Sequence, residues 1–200
     1  MRILLLSSAF NGLTLRIFDE LTFAEHDVTV QLALGDEVIK EAIHVFQPEL
    51  IICPFLKHRI PESVWKKHLC LIVPPGIRGD RGPSSLDWAI INEENRWGVT
   101  LLQADAEMDA GDIWGTMEFP MRKTSKASLY RQEVNNAASH LIHQAIKDFQ
   151  SGNFRPQPLD YTDPKVKGKL LPVMKQVQRK IDWEKDDTCL LYTSPSPRVS

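Results

Sequence analysis

The sequence predicts an α/β fold: an open, doubly wound and mostly parallel sheet, followed by the truncated start of a smaller domain. Two observations carry this. Short apolar runs alternate with stretches whose apolar residues recur at helical spacing, and parallel strands need such crossover helices to cover both faces of their sheet. The runs also stop at small polar residues, proline or glycine, as buried strands do before a loop.

Ile3 to Ser7 reads as the first strand, and Asn11 to Ala24, with Leu13, Ile17, Phe18 and Leu21 on one face, as the helix after it. His26 to Leu34 alternates Val28, Val30 and Leu32 as a second strand, and Asp36 to Phe46 carries Val38, Ile39, Ala42, Ile43 and Phe46 on a helical face. Pro48 closes that helix, and Leu50 to Cys53 forms a third strand before Pro54. Pro61 fits the first position of a helix over Glu62 to Lys67, and Leu69 to Val73 is a fourth strand cut off by Pro74-Pro75-Gly76. Pro74 to Ser85 is a loop by composition. Leu86 to Asn95 follows as a helix, with Ser84 or Ser85 as a candidate cap. Val99 to Leu102 and Ile113 to Phe119 are two further strands, joined by a loop over Asp105 to Asp112. Ser128 to Gly152 is the longest helix, with Gly152 as its C-cap.

The α/β domain is therefore expected to occupy residues 1–152. From Asn153 to Thr188 the chain is polar, with Pro156, Pro158 and Pro164, and reads as a linker and the beginning of another domain. Residues 189–200 continue no earlier pattern and are expected to be a non-native or truncated tail.

The 200 residues carry 24 basic and 26 acidic side chains, a net charge of −2 that argues against a chain built to grip nucleic acid through its phosphates. Cys53, Cys70 and Cys189 form neither a disulfide framework nor a CxxC pair, so no metal site is expected and a reducing, cytoplasmic setting is. The apolar run at the amino terminus is too short for a signal peptide, and no stretch is long enough to span a membrane.

Ligands of such sheets bind beyond the carboxyl ends of the strands, which directs attention to Ser7–Gly12, Cys53–Arg59 and Pro74–Ser85. The first of these lacks phosphate-loop glycines, and Ser8 and Asn11 are as well explained as caps as by ligand binding. His58 and His68 lie near the ends of the sheet, whereas His26, His44, His140 and His143 read as surface or packing residues. The informative region is Pro74-Pro75-Gly76-Ile77-Arg78-Gly79-Asp80-Arg81-Gly82-Pro83-Ser84-Ser85, followed by Gly98-Val99-Thr100 and Met108-Asp109-Ala110-Gly111-Asp112. A glycine–proline loop at a strand end can present backbone N–H groups to a cleft that an Asp on a neighbouring loop also faces. Two tight turns and a helix cap account for the same residues without any ligand.

This order of motifs resembles the folate-dependent formyltransferases, whose pattern runs Asn-x-His-Pro, Arg-Gly, a Trp-Ala-Ile helix, Gly-Val-Thr and Asp-x-Gly-Asp. Within them it is most similar to the amino-terminal half of hydrogenase maturation factors of the HypX/HoxX branch. That similarity is carried by Cys53–Lys57, Ile60–Trp65, Gly79–Ile90 and Ala106–Asp112, and by Ile181-Asp182-Trp183, which stands where the family's smaller domain begins. The resemblance implies a formyltransferase Rossmann-like fold and transfer of formyl from 10-formyltetrahydrofolate, a one-carbon step toward the carbon monoxide ligand of nickel-iron hydrogenase. Asp109 matches the family's catalytic Asp, while Ile72 occupies the Asn position and Pro74 the His position. Pro75, Gly76, Ile77, Phe55 and Leu56 fall where the folate would be held. The implied acceptor is coenzyme A, and the implied partners are an enoyl-CoA hydratase-like second half and, indirectly, the hydrogenase maturation machinery. Since proline supplies neither imidazole nor backbone N–H, impaired turnover is expected. A methionyl-tRNA formyltransferase-like enzyme and a non-catalytic folate-binding module are the alternatives.

Overall fold

The structure, a computed structural model, describes residues 1–179. Six strands form one sheet in the order β2-β1-β3-β4-β5-β6: β1 (Arg2–Ser7), β2 (Asp27–Leu32), β3 (Leu50–Cys53), β4 (Cys70–Ile72), β5 (Arg96–Gln103) and β6 (Ile113–Pro120). β1 to β4 are parallel, β5 runs against β4, and β6 runs against β5. One strand in six therefore opposes the rest, and the sheet is mostly parallel as expected.

Alternation along the parallel strands builds the two cores. Ile3, Leu5, Leu50, Ile52, Leu71 and Val73 pack on one face against α1 (Gly12–Phe23), α4 (Ser85–Ile91) and α6 (Asn135–Ser151). Leu4, Leu6, Ile51, Cys53 and Cys70 pack on the other against α2 (Asp36–Phe46) and the single turn α3 (Glu62–Trp65). A parallel sheet covered on both faces needs this near-continuous apolar reading. The long carboxyl-terminal helix starts earlier than its apolar stripe shows, at α5 (Lys126–Leu129), and passes through a π-helical turn at Tyr130–Val134 before α6. Gly152 closes it in the left-handed region at φ +67°, a conformation that glycine adopts without a Cβ penalty.

Two local expectations need correction. Neither Ser84 nor Ser85 caps α4 with its side chain; Ser84 Oγ accepts from the Met174 N–H and Ser85 Oγ donates to the Pro75 carbonyl. Pro61 stands one position before α3 rather than at its first residue. Asn11 does cap α1, its Oδ1 accepting from the Thr14 N–H at 2.9 Å.

Residues 153–174 fold back over the sheet's rim. Gln157 pairs with Ile113, Leu170 pairs with Arg81, and Met174 is buried. The Ile181-Asp182-Trp183 motif and the 189–200 tail lie outside the described residues.

Candidate active site

The Pro74–Ser85 loop leaves the end of β4 and is held at consecutive carbonyls. Pro74 O accepts from the Gly76 and Thr100 N–H groups at 2.9 and 3.3 Å. Pro75 O accepts from Ser85 Oγ at 2.7 Å and Trp97 Nε1 at 3.0 Å, and Gly76 O accepts from Thr100 Oγ1 at 2.9 Å. Thr100 of the Gly-Val-Thr motif thus serves to fasten the loop. Gly76 is required by close approach, because a Cβ there would stand 2.7 Å from Asp80 Oδ2.

Farther along, the loop is clasped by the returning carboxyl-terminal segment. Gly168 N–H donates to Arg78 O, Arg81 N–H to Lys169 O, and Leu171 N–H to Arg81 O, each at 3.0 Å. Tyr161 Oη donates to Gly79 O at 3.2 Å, and Trp88 Nε1 to Pro172 O at 2.8 Å. The backbones come so close that a Cβ on Gly168 would sit 1.9 Å from the Asp80 nitrogen.

Asp80 stands on this clasped loop and Asp109 on the β5–β6 connection, which Arg81 Nε joins to it at Met108 O. Asp109, held at φ +54°, accepts a hydrogen bond from the Gly82 N–H and lies in the field of Arg81. Burial raises its proton affinity above the ordinary carboxylate value, while that N–H and the Arg81 charge oppose the rise. Arg81 Nε also donates to Met108 O at 3.0 Å, and its guanidinium pairs with Glu107 at 3.1 Å. Asp80 is 5% exposed and is pushed up to about 6 by burial. The Ser85 hydroxyl and the Lys169 backbone resist that rise, and the charge of Asp109 adds to it. Among the described residues, Asp80 Oδ2 has no hydrogen-bond partner within bonding distance.

No family model matches the chain. HoxX, the hydrogenase maturation factor of Bradyrhizobium diazoefficiens, is 44% identical over 188 residues, which is 94% of this chain and 33% of that protein. Over that third, the chain is similar to the HypX/HoxX maturation factors. The crystal structure of HypX from Aquifex aeolicus in complex with tetrahydrofolic acid superposes with a TM-score of 0.90 at 46% identity, covering 96% of this chain and 33% of that one. The chain thus spans about a third of the length of the HypX/HoxX proteins that it matches. More distantly, methionyl-tRNA formyltransferase from Bacillus licheniformis is 23% identical over 153 residues, covering 75% of this chain and 47% of that protein. A methionyl-tRNA formyltransferase from Clostridium thermocellum, with a TM-score of 0.71 at 18% identity and 96% and 80% of the two chains covered, shares the fold.

The residues singled out from the formyltransferase pattern do not all meet. Pro74 to Ile77 and Asp109 belong to adjoining loops, but the polar partners of Asp109 lie at Arg81 and Gly82, the far end of the Pro74 loop. Ile72 pairs in register with Cys53 and Leu102 and packs into the α2–α3 core. Phe55 and Leu56 are half-buried in the loop after β3. That loop is fastened to the end of β1: Ser8 N–H donates to Phe55 O at 2.7 Å, and Lys57 N–H donates to Ser8 Oγ at 2.7 Å.

Two open hollows lie beside these loops. One of about 300 Å³ is lined by Trp65, Gln103, Ala104, Asp105, Gly111 and Asp112, and one of about 380 Å³ by Asp36, His58, Arg59, Pro61, Trp65 and Ala106. Both have the size of small-ligand sites. Neither wall includes Pro74, Ile72 or Asp109. His58 pairs with Asp36 across the second at 2.9 Å, whereas His68 contributes its carbonyl to the Cys70 thiol. Cys53 and Cys70 are buried, and burial pushes Cys70 up to about 12, which removes a thiolate from the available chemistry. Among the described residues no group of three His, Cys, Asp or Glu side chains is placed to hold a metal ion, and no helix is long and apolar enough to cross a membrane.

Asp80 is the residue that motif reading passes over. Gly79-Asp80-Arg81-Gly82 announces a tight loop, but neither hydropathy nor spacing signals that its Asp is buried, since the burying surface comes from residues far along the chain.

Proposed function

We propose that the chain binds 10-formyltetrahydrofolate and moves its formyl group to an acceptor, as a one-carbon step toward the carbon monoxide ligand of nickel-iron hydrogenase. The observation that carries this reading is the likeness, over 96% of the chain, to a HypX crystal structure holding tetrahydrofolic acid. In such a transfer the acceptor attacks the formyl carbon, the carbonyl oxygen gains negative charge, the bond from the carbon to the folate nitrogen breaks, and the acceptor's proton ends on that nitrogen. Asp109 is assigned the proton-moving role. Its half-buried carboxyl, with proton affinity raised above the ordinary range, suits a group that must both take and return a proton. The loop backbone from Pro75 to Ile77, with Phe55 and Leu56, is assigned to the folate.

By the resemblance, coenzyme A as the acceptor, an enoyl-CoA hydratase-like second half and the release of carbon monoxide are assigned to longer proteins, and this chain spans a third of the HoxX relative. Residues 153–188 are read as the passage to the smaller formyltransferase domain. A second reading, a folate-binding module without turnover, is favoured by Pro74, which puts no titratable group where the family carries its histidine. Lys165, Lys167, Lys169, Lys175, Arg179 and Lys180 are the basic residues that a tRNA-facing formyltransferase would use, and the segment bearing the first three is engaged with the Arg78–Ser84 loop.

Formyl transfer or hydrolysis measured with 10-formyltetrahydrofolate separates these readings. Turnover in the unaltered chain, reduced about 100- to 1,000-fold in Asp109→Asn, is the expected result. Binding without turnover supports the module, and transfer to tRNA supports the third reading.

A further inference from the structure

We infer that Arg81 is a positioning residue: together with Arg59, its guanidinium grips the main chain of the β5–β6 connection just before Asp109 and so fixes where that carboxyl stands. This rests on the assignment of Asp109 to formyl transfer and deepens it.

The argument begins with what the connection lacks. Its ladder closes where the Gln103 N–H donates to Asp112 O at 2.8 Å. Beyond that point Asp105, Ala106, Glu107 and Met108 are all exposed, so no apolar core fixes the stretch. Asp109 follows with its backbone in the left-handed region at φ +54°, a conformation that a residue with a Cβ keeps only where its surroundings hold it. Two arginines from two strand-end loops supply that hold. Arg59, after β3, donates to Ala106 O, and Arg81, after β4, donates from Nε to Met108 O at 3.0 Å. Arg81 Nη2 also meets Glu107 Oε2 at 3.1 Å. A planar guanidinium carries its donors in fixed directions, so contacts from one group to two adjacent residues set orientation as well as distance.

Arg81 is itself held from behind. Its N–H donates to Lys169 O and its carbonyl accepts from the Leu171 N–H, both at 3.0 Å, so its main chain belongs to the clasp whatever its side chain does. The turn assigned to the folate is fastened by other groups: Ser85 and Trp97 hold Pro75 O, and Thr100 holds Gly76 O. Removing the guanidinium therefore loosens the residues before Asp109 and leaves Pro75–Ile77 in place.

Backbone nitrogen-15 relaxation of the full 200-residue chain tests the grip without requiring turnover. In Arg81→Met, which keeps the stem and loses the donors, order parameters of residues 106–109 are expected to fall from about 0.85 to below about 0.6, while those of Gly76, Thr100 and Leu171 hold their values. Unchanged order parameters at 106–109 overturn the inference. Arg59→Met loosens the same stretch from the other arm, and it decides the matter in the same way if Arg81→Met fails to fold. Kinetics provide the second readout: Arg81→Met lowers kcat about 10- to 100-fold with KM for 10-formyltetrahydrofolate within about twofold, whereas equal losses in both contradict a positioning role. Arg81→Lys keeps the charge without the fork and recovers only part of kcat; full recovery would show that charge alone matters and overturns the inference. A connection loosened by Arg81→Met in a chain that neither binds nor turns over the folate would instead sink the formyl-transfer reading and leave the grip standing.

Discussion

Proline at position 74 is held in the loop through its carbonyl, which receives the Gly76 and Thr100 amides, and it brings no titratable group there. If the chemistry is formyl transfer, restoring the imidazole has a clear consequence. Pro74→His is expected to raise formyl transfer or hydrolysis at least about tenfold, and an unchanged rate in a steady-state assay would mean that other groups carry the proton. Asp80 makes a separate prediction about stability. Its folded-state proton affinity is raised, so the folded chain keeps a proton that the unfolded chain has released between its ordinary value of 3.8 and about 6. Stability from this group is therefore present at low pH and lost as pH rises through that window. Urea unfolding should show the unaltered chain losing about 3 kcal/mol more than Asp80→Asn between pH 4 and pH 7, and parallel curves would contradict the burial of this charge. Neither effect was legible in the sequence, where Asp80 is one charge among several in a glycine-rich loop.

Among the elements, those with a strong apolar period were readable and those held by backbone contacts were not. Leu13, Ile17 and Leu21 define α1, and the alternating burial of Ile3 to Leu6 defines β1. β5 begins at Arg96 rather than Val99, because Arg96 is exposed and Gly98 is a weak strand former, yet both are in register with β6. The 153–174 segment looked like a linker because it is polar and rich in proline; its attachment runs through main-chain groups and through glycines that admit close approach, which leave no hydropathy pattern. Gly168→Ala tests that attachment. A Cβ would collide with backbone at Gly79 and Asp80, which cannot yield as a side-chain tip can. The variant should lose about 1–3 kcal/mol and speed hydrogen exchange at the Arg81 and Leu171 amides, while exchange in β1 and β3 stays unchanged.

For the molecule as a whole, the α/β architecture and the family likeness were legible from apolar periodicity and motif order, whereas the burial of Asp80 and the clasp over its loop required the fold. The parallel strands bring the Ser7, Cys53 and Pro74 loops to one rim, and the β5–β6 connection that carries Asp109 is tied to those loops by Arg59 donating to Ala106 O and Arg81 to Met108 O. That rim is where open α/β sheets take their ligands. Calorimetric titration of the 200-residue chain with tetrahydrofolate addresses the central claim most directly. The account predicts saturable one-to-one binding in the micromolar range that is altered by Asp109→Asn. A chain that is folded by circular dichroism yet gives no saturable heat up to about 1 mM tetrahydrofolate would contradict it.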